Sequence, residues 1–172
     1  MSRMNKSYEQ KKAWEKEIFS RFVLASGLAV DAGSVSLPLE DGVPPPPDVR
    51  CLIGGKPYFF ELAEVVPTEQ AEALGTKGMY QIGFPDGKDL GPNAFRTILT
   101  KKHSKQYFTE GSPIDLVLYF SKDFPIYIPD IYPKKPRQTE MGKVFRDCLD
   151  TGKFSRIWLY DTWTNKILLT PR

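Results

Sequence analysis

The sequence predicts a single α/β domain in which a mixed β-sheet is flanked by helices. Three observations carry that expectation. Apolar residues recur at helical spacing in three separate stretches. Short apolar runs bounded by Gly, Pro and polar turns lie between them and read as strands. The order is helix, strand, hairpin, helix, strand, helix, strands, so crossover helices join strands of one sheet. The 172 residues suit one domain with a real hydrophobic core, and no internal repeat is present.

The first helix is expected from about Tyr8 to Leu28. Tyr8, Ile18, Phe19, Phe22 and Val23 fall on one face, and Gly27 marks its end. Ser34 to Leu39 is a short candidate strand. Pro44 to Pro47 form a stiff extended run that excludes helix. Asp48 to Val66 reads as a β-hairpin turning at Gly54-Gly55, a dipeptide suited to a two-residue turn. Pro67 to Asn93 is long and Gly-rich, with room for one short helix near Thr68 to Leu74. A connection of that length in a compact domain is usually functional or mobile. Ala94 to Phe108 is the second expected helix, and Ile114 to Phe120 a strand of the fully buried kind. Asp123 to Arg137 is rich in Pro and Tyr and irregular. Thr139 to Asp150 is the third expected helix, with Met141, Val144, Phe145, Cys148 and Leu149 on its stripe. Arg156 to Tyr160 and Ile167 to Thr170 close the sheet around a polar turn at Thr164-Asn165.

Hydrophobic residues are 41% and charged residues 26% of the chain, which places it among globular rather than disordered chains. A formal charge of +3 permits nucleic-acid binding only if the positive charge is clustered. With two cysteines, Cys51 and Cys148, one histidine, His103, and no CxxC, a Cys/His zinc site is nearly excluded. Both cysteines sit in apolar patterns and read as buried structural thiols rather than nucleophiles. The cysteine usage fits a reducing cytoplasm. The polar N-terminus has no signal-peptide core, and no apolar run approaches a membrane span. The expectation is a soluble, cytoplasmic protein with no membrane partner.

The hairpin yields a geometric inference. With Gly54 and Gly55 at the turn, residues 53 and 56 pair, and the same register sets Asp48 opposite Glu61. Opposed side chains share a face with Cβ atoms about 4.5–5.5 Å apart, and like charges there destabilise a sheet. A cation between them removes the conflict. Two hard oxygen ligands suit Mg²⁺ or Mn²⁺. The plainer alternative is a solvated strand end where the carboxylates splay apart. A register slip of one residue moves Glu61 to the other face. Pro57 is a mild objection to the second strand, tolerable near its start.

Pro47-Asp48, a hairpin, then Glu61-Leu62-Ala63 resembles the signature of the PD-(D/E)xK nuclease superfamily. The order of elements from about Tyr8 to Phe120 is similar to that superfamily's restriction-endonuclease-like core. The resemblance implies metal-dependent hydrolysis of phosphodiester bonds, usually in DNA. Asp48, Glu61 and the backbone carbonyl of Leu62 would hold Mg²⁺ or Mn²⁺, which polarises the phosphate and activates water. The chain departs from the pattern at Ala63, where the signature has lysine. Some members supply the lysine from the following helix. On a helical wheel Phe95, Ile98 and Leu99 lie within roughly 60° of Lys102, so Lys102 is centred on the apolar stripe. A lysine facing a core needs a partner or must reach water. The alternative is that the helix has already left the core and Lys102 is solvated. Lys101 lies about 100° away and Lys105 at the stripe's edge.

On the wheel of the first helix Glu15 falls between Phe19 and Phe22 on the apolar face, where related nucleases often aim a glutamate at the metal. Glu17 should be solvated, and Glu64 should face the side of the sheet opposite Glu61. The expected catalytic set is therefore Asp48, Glu61, Lys102 and Glu15. Arg96, Lys101 and Lys105, with Lys134, Lys135 and Arg137, form two basic clusters able to track a phosphate backbone, although most charge runs are solvated faces. Tyr127 and Tyr132 beside the second cluster are candidates for base stacking or for loop packing. Three readings follow: a Mg²⁺-dependent deoxyribonuclease, a catalytically silent module of the same fold binding nucleic acid or a protein, and an unrelated α/β domain. Ala63 favours the second, Glu15 and Lys102 the first. A homodimer stays open.

Overall fold

The computed structural model describes residues 8–39, 42–65, 92–120 and 146–169, with side chains described except at 92–96 and 169. The chain is α/β: a five-stranded mixed sheet with helices against both faces. Helix α1 spans Tyr8–Ser26. Strands β1 (Val49–Ile53) and β2 (Lys56–Glu64) form the hairpin, and α2 (Pro92–Ser104) precedes β3 (Ile114–Phe120). Residues 146–150 are helical, named α3, and β4 (Arg156–Asp161) and β5 (Lys166–Leu169) follow.

The strands lie side by side in chain order. β1 and β2 are antiparallel, β2, β3 and β4 are mutually parallel, and β5 returns antiparallel to β4. The parallel pairs require crossovers, which α2 and the segment ending in α3 supply. Each strand alternates its side chains between two cores. Phe59, Ala63, Leu116, Leu118, Ile157 and Leu159 face Leu99 of α2, with Cys148 and Leu149 of α3 packed alongside. Phe60, Leu62, Val117, Tyr119, Trp158 and Tyr160 face Ile18, Phe19 and Phe22 of α1. That second layer is aromatic: Phe19 lies 4.9 Å from Phe60 and Phe22 lies 5.3 Å edge-on to Trp158 between ring centres.

The hairpin has the expected register, with Val49 paired to Phe60 and Ile53 to Lys56. Gly54 and Gly55 have φ of +59° and +74°, the left-handed values a two-residue hairpin turn of this kind requires. The Asp31 carboxylate accepts both their amides, at 3.2 and 2.7 Å. Pro57 sits second in β2, opposite Leu52.

Several boundaries differ from expectation. Residues 34–39 make only an isolated bridge from Ser36 to Arg50, with a second bridge from Val30 to Ile53, so this edge is fragmentary. Tyr8, expected on the apolar face of α1, is half exposed, because the helix has not yet reached the sheet in its first turn. α2 stops at Ser104 instead of Phe108. Its last turn is closed by other groups: Ser104 Oγ donates to the Lys101 carbonyl at 2.9 Å. Lys153 Nζ donates to the carbonyl of His103, and to that of Lys105 at 2.6 Å. A cation on unpaired C-terminal carbonyls favours ending the helix there. The expected helix at Thr68 to Leu74, most of Pro67 to Asn93, Asp123 to Arg137 and the start of the third helix lie outside the described residues. Among the described residues no helix is long and apolar enough to cross a membrane.

Candidate functional site

Glu61 projects from the middle of β2 towards α2 and is fully buried. Extending the hairpin register by one residue sets Asp48 across from it, and Asp48 is 8% exposed. Asp48 is anchored to the facing strand: the amide of Leu62, one residue past Glu61, donates to Asp48 Oδ2 at 2.8 Å. The approach to Asp48 is fixed by the Phe108 amide, which donates to the Pro45 carbonyl at 3.1 Å. Two carboxylates in low dielectric cannot both ionise cheaply. Burial first, then the charge of Glu61, push the Asp48 carboxyl up to about 6, while Lys102 and the Leu62 amide pull the other way.

Lys102, centred on the apolar stripe of α2, is turned towards the sheet and is not solvated. Lys102 reaches inward from the last turn of α2, and its Nζ lies 2.6 Å from Glu61 Oε1 and 3.2 Å from the Leu62 carbonyl. Its neighbour Lys101 is exposed, as the wheel predicts. Lys105 joins from the bend just beyond the helix, 3.3 Å from the same Oε1. Glu61 Oε2 is buried and has no hydrogen-bond partner. Tyr107 closes the floor: its hydroxyl donates to the Lys102 carbonyl at 3.4 Å, and its ring lies 5.0 Å beneath Lys105 Nζ. Burial, then the charge of Glu61, raise the Tyr107 phenol far above its ordinary range. Ala63 is buried in the α2-facing core beside Glu61, so no cation comes from that position.

Glu15 is 7% exposed and is ion-paired to Lys11 at 3.5 Å and Lys12 at 3.0 Å. It lies near enough for its charge to raise Asp48, though it belongs to the opposite layer. Glu17 is exposed and Glu64 half-buried on the face away from Glu61, as expected. The Arg96 side chain and all of Lys134, Lys135, Arg137, Tyr127 and Tyr132 lie outside the described residues. Cys51 is buried beneath α1, and burial pushes its thiol up to about 11, a structural thiol. Burial also raises Cys148.

Among the described residues, the possible metal ligands at the centre are all oxygens: two carboxylates and the Leu62 carbonyl. Among the described residues no group of three or more His, Cys, Asp or Glu is arranged to hold a metal ion. The donor set still fits a hard divalent ion such as Mg²⁺, which keeps several waters and needs only one or two carboxylates. The fit rests on the convergence of Glu61 Oε1 and the Leu62 carbonyl on one cation, the Lys102 ammonium, while Glu61 Oε2 is buried without a well-formed hydrogen bond and the Tyr107 hydroxyl interacts with the same carboxylate.

Two features escaped the sequence reading. Lys105 was expected on a phosphate-binding surface, yet it touches Glu61. Lys105 lies just past the end of α2, so helical spacing alone could not place it. The second is Asp115, fully buried in β3 on the α1 side. It accepts from Tyr58 Oη at 2.8 Å, Arg156 Nε at 2.8 Å and Trp158 Nε1 at 2.7 Å. An acid inside a strand otherwise apolar was the available sign that partners must exist. With its oxygens so engaged, this cluster serves packing. Comparison with protein-family models, with curated proteins and with solved structures finds no match to this chain.

Proposed function

We propose that the protein is a divalent-metal-dependent nuclease that hydrolyses phosphodiester bonds, in DNA by preference, using Asp48, Glu61 and Lys102. The observation that carries this reading is the Lys102 ammonium. It crosses 41 residues of sequence to sit on Glu61 Oε1 and the Leu62 carbonyl, beside Asp48. That supplies from α2 the charge that Ala63 lacks.

Asp48, Glu61 and the Leu62 carbonyl would hold Mg²⁺ or Mn²⁺, which supplies Lewis-acid polarisation of the phosphate and a lowered pKa for attacking water. The chain's own groups do the rest. Asp48 is oriented by the Leu62 amide on Oδ2, and its other oxygen would be offered to the ion. Lys102 is placed to stabilise negative charge that develops on the phosphoryl oxygens. Glu15 adds negative charge near Asp48 and favours a cation there. Lys101, exposed on α2, and Lys105 extend positive charge towards a phosphate backbone. Both cysteines are free, in keeping with a cytoplasmic setting.

One observation favours the second reading, a silent nucleic-acid-binding module of the same fold. Glu61 is already neutralised by two lysines and so is stable without metal. Cleavage of plasmid and single-stranded DNA with Mg²⁺ or Mn²⁺ separates the two. Asp48→Asn and Glu61→Gln should each remove nearly all cleavage while DNA binding persists. Lys102→Ala should lower the rate by at least ~10²-fold, the scale of a lost electrostatic stabiliser. Lys101→Ala should cost little beyond weaker phosphate binding. Binding with no metal-dependent cleavage by the wild type would establish the silent module instead.

A further inference from the structure

Lys102 and Lys105 both approach the same oxygen of Glu61, at 2.6 and 3.3 Å, while Oε2 is left without a partner. Two like charges on one oxygen repel one another, and their holds are unequal. The Lys102 side chain is 19% exposed and has a second contact at the Leu62 carbonyl. The Lys105 side chain is 40% exposed and makes one ion pair, the longer of the two. It projects from a bend just past the end of the helix, and among the described residues its other side-chain contact is the face of the Tyr107 ring. Lys105 is thus the ammonium that can leave Glu61 at small cost and still be stabilised.

We propose that Lys105 is an exchange residue that couples anion and cation binding at this site. In the metal-free protein it neutralises Glu61. When a phosphodiester chain arrives, the ammonium transfers to a phosphate oxygen, and Glu61 becomes available to a divalent ion. The identity of the polyanion rests on the nuclease reading, whereas the competition between Lys105 and the cation for Glu61 does not. A cation binding alone must work against Lys105. A cation binding after the polyanion need not. The two ligands therefore reinforce each other, and linkage makes the effect reciprocal.

The competition predicts a gain of function where loss is the ordinary expectation. Titration calorimetry of the whole chain with Mn²⁺ alone should show Lys105→Gln binding about 5-fold tighter than wild type or better, the low end of ordinary coupling. Lys105→Arg, which keeps the charge, should stay near wild type, and Lys101→Gln should not change. Melting curves with chelator identify any variant that fails to fold, and the Arg variant keeps the test open in that event. The anion half is read by anisotropy of labelled single-stranded and duplex oligonucleotides in chelator. Lys105→Gln should bind more weakly and lose about one unit of the log-affinity slope against log salt. Equal or weaker Mn²⁺ affinity in Lys105→Gln overturns the exchange. Tighter Mn²⁺ binding by the variant, with a wild type that neither binds nor cuts either oligonucleotide, keeps the competition and removes the nuclease reading.

Discussion

Asp48 shows how one side chain's surroundings set the behaviour of the site. Its ordinary value is 3.8, and burial with the charge of Glu61 moves it to about 6. The folded protein therefore holds this proton more tightly than the unfolded chain. Stability from that source is fully present below about pH 4 and is lost as pH rises through about 6. The loss is on the order of 3 kcal/mol. In chelator, Asp48→Asn should accordingly gain on the wild type as pH rises from 4 to 7, since asparagine can still accept the Leu62 amide without the charge. Denaturant unfolding at the two pH values measures this. An unchanged difference between the two proteins would show that Asp48 titrates normally. Lys102 faces the complementary constraint. Its partner is fully buried, so removal of Lys102 leaves Glu61 to a single, longer ion pair.

Among the elements, the β1–β2 hairpin was the most legible from sequence. Gly54-Gly55 fixed the turn, the turn fixed the register, and the register set Asp48 across from Glu61. The inward phase of Lys102 was legible too, because Ile98 and Leu99 define the stripe of α2. The end of α2 was not. It is set by Lys153, fifty residues downstream, acting on the His103 carbonyl, and periodicity within the helix carries no trace of it. Lys105 was misplaced for the same reason, since its final position depends on where the helix stops. Asp31 is another distant clamp, holding the amides of both turn glycines. Asp31→Ala should cost about 1–2 kcal/mol, the scale of a charged hydrogen bond that is partly exposed. Mn²⁺ affinity should persist, because the turn lies at the far end of the hairpin from Asp48. A lower melting temperature with unaltered affinity would match; lost affinity would mean that the turn, not the strand pairing, holds the pair together.

At the scale of the molecule, the sheet separates two kinds of buried acid by face. Asp115, on the α1 side, is held by Tyr58, Arg156 and Trp158. Glu61, on the α2 side, is held by lysines and keeps one oxygen unsatisfied. The order in which those partners become available follows from chain connectivity. The Asp48–Leu62 contact spans 14 residues, whereas the Lys102–Glu61 contact spans 41. Closing the shorter loop costs less entropy, and local pairing tends to precede distant docking. On that ground the two acids should meet before the ammonium groups arrive, so that the early barrier would include their unshielded repulsion. Stopped-flow refolding in chelator should accelerate for Asp48→Asn at pH 8, with the unfolding rate much less affected. Faster refolding of that variant would mean that the time course of folding carries an imprint of the site, with negative charge assembled first and neutralising charge afterwards.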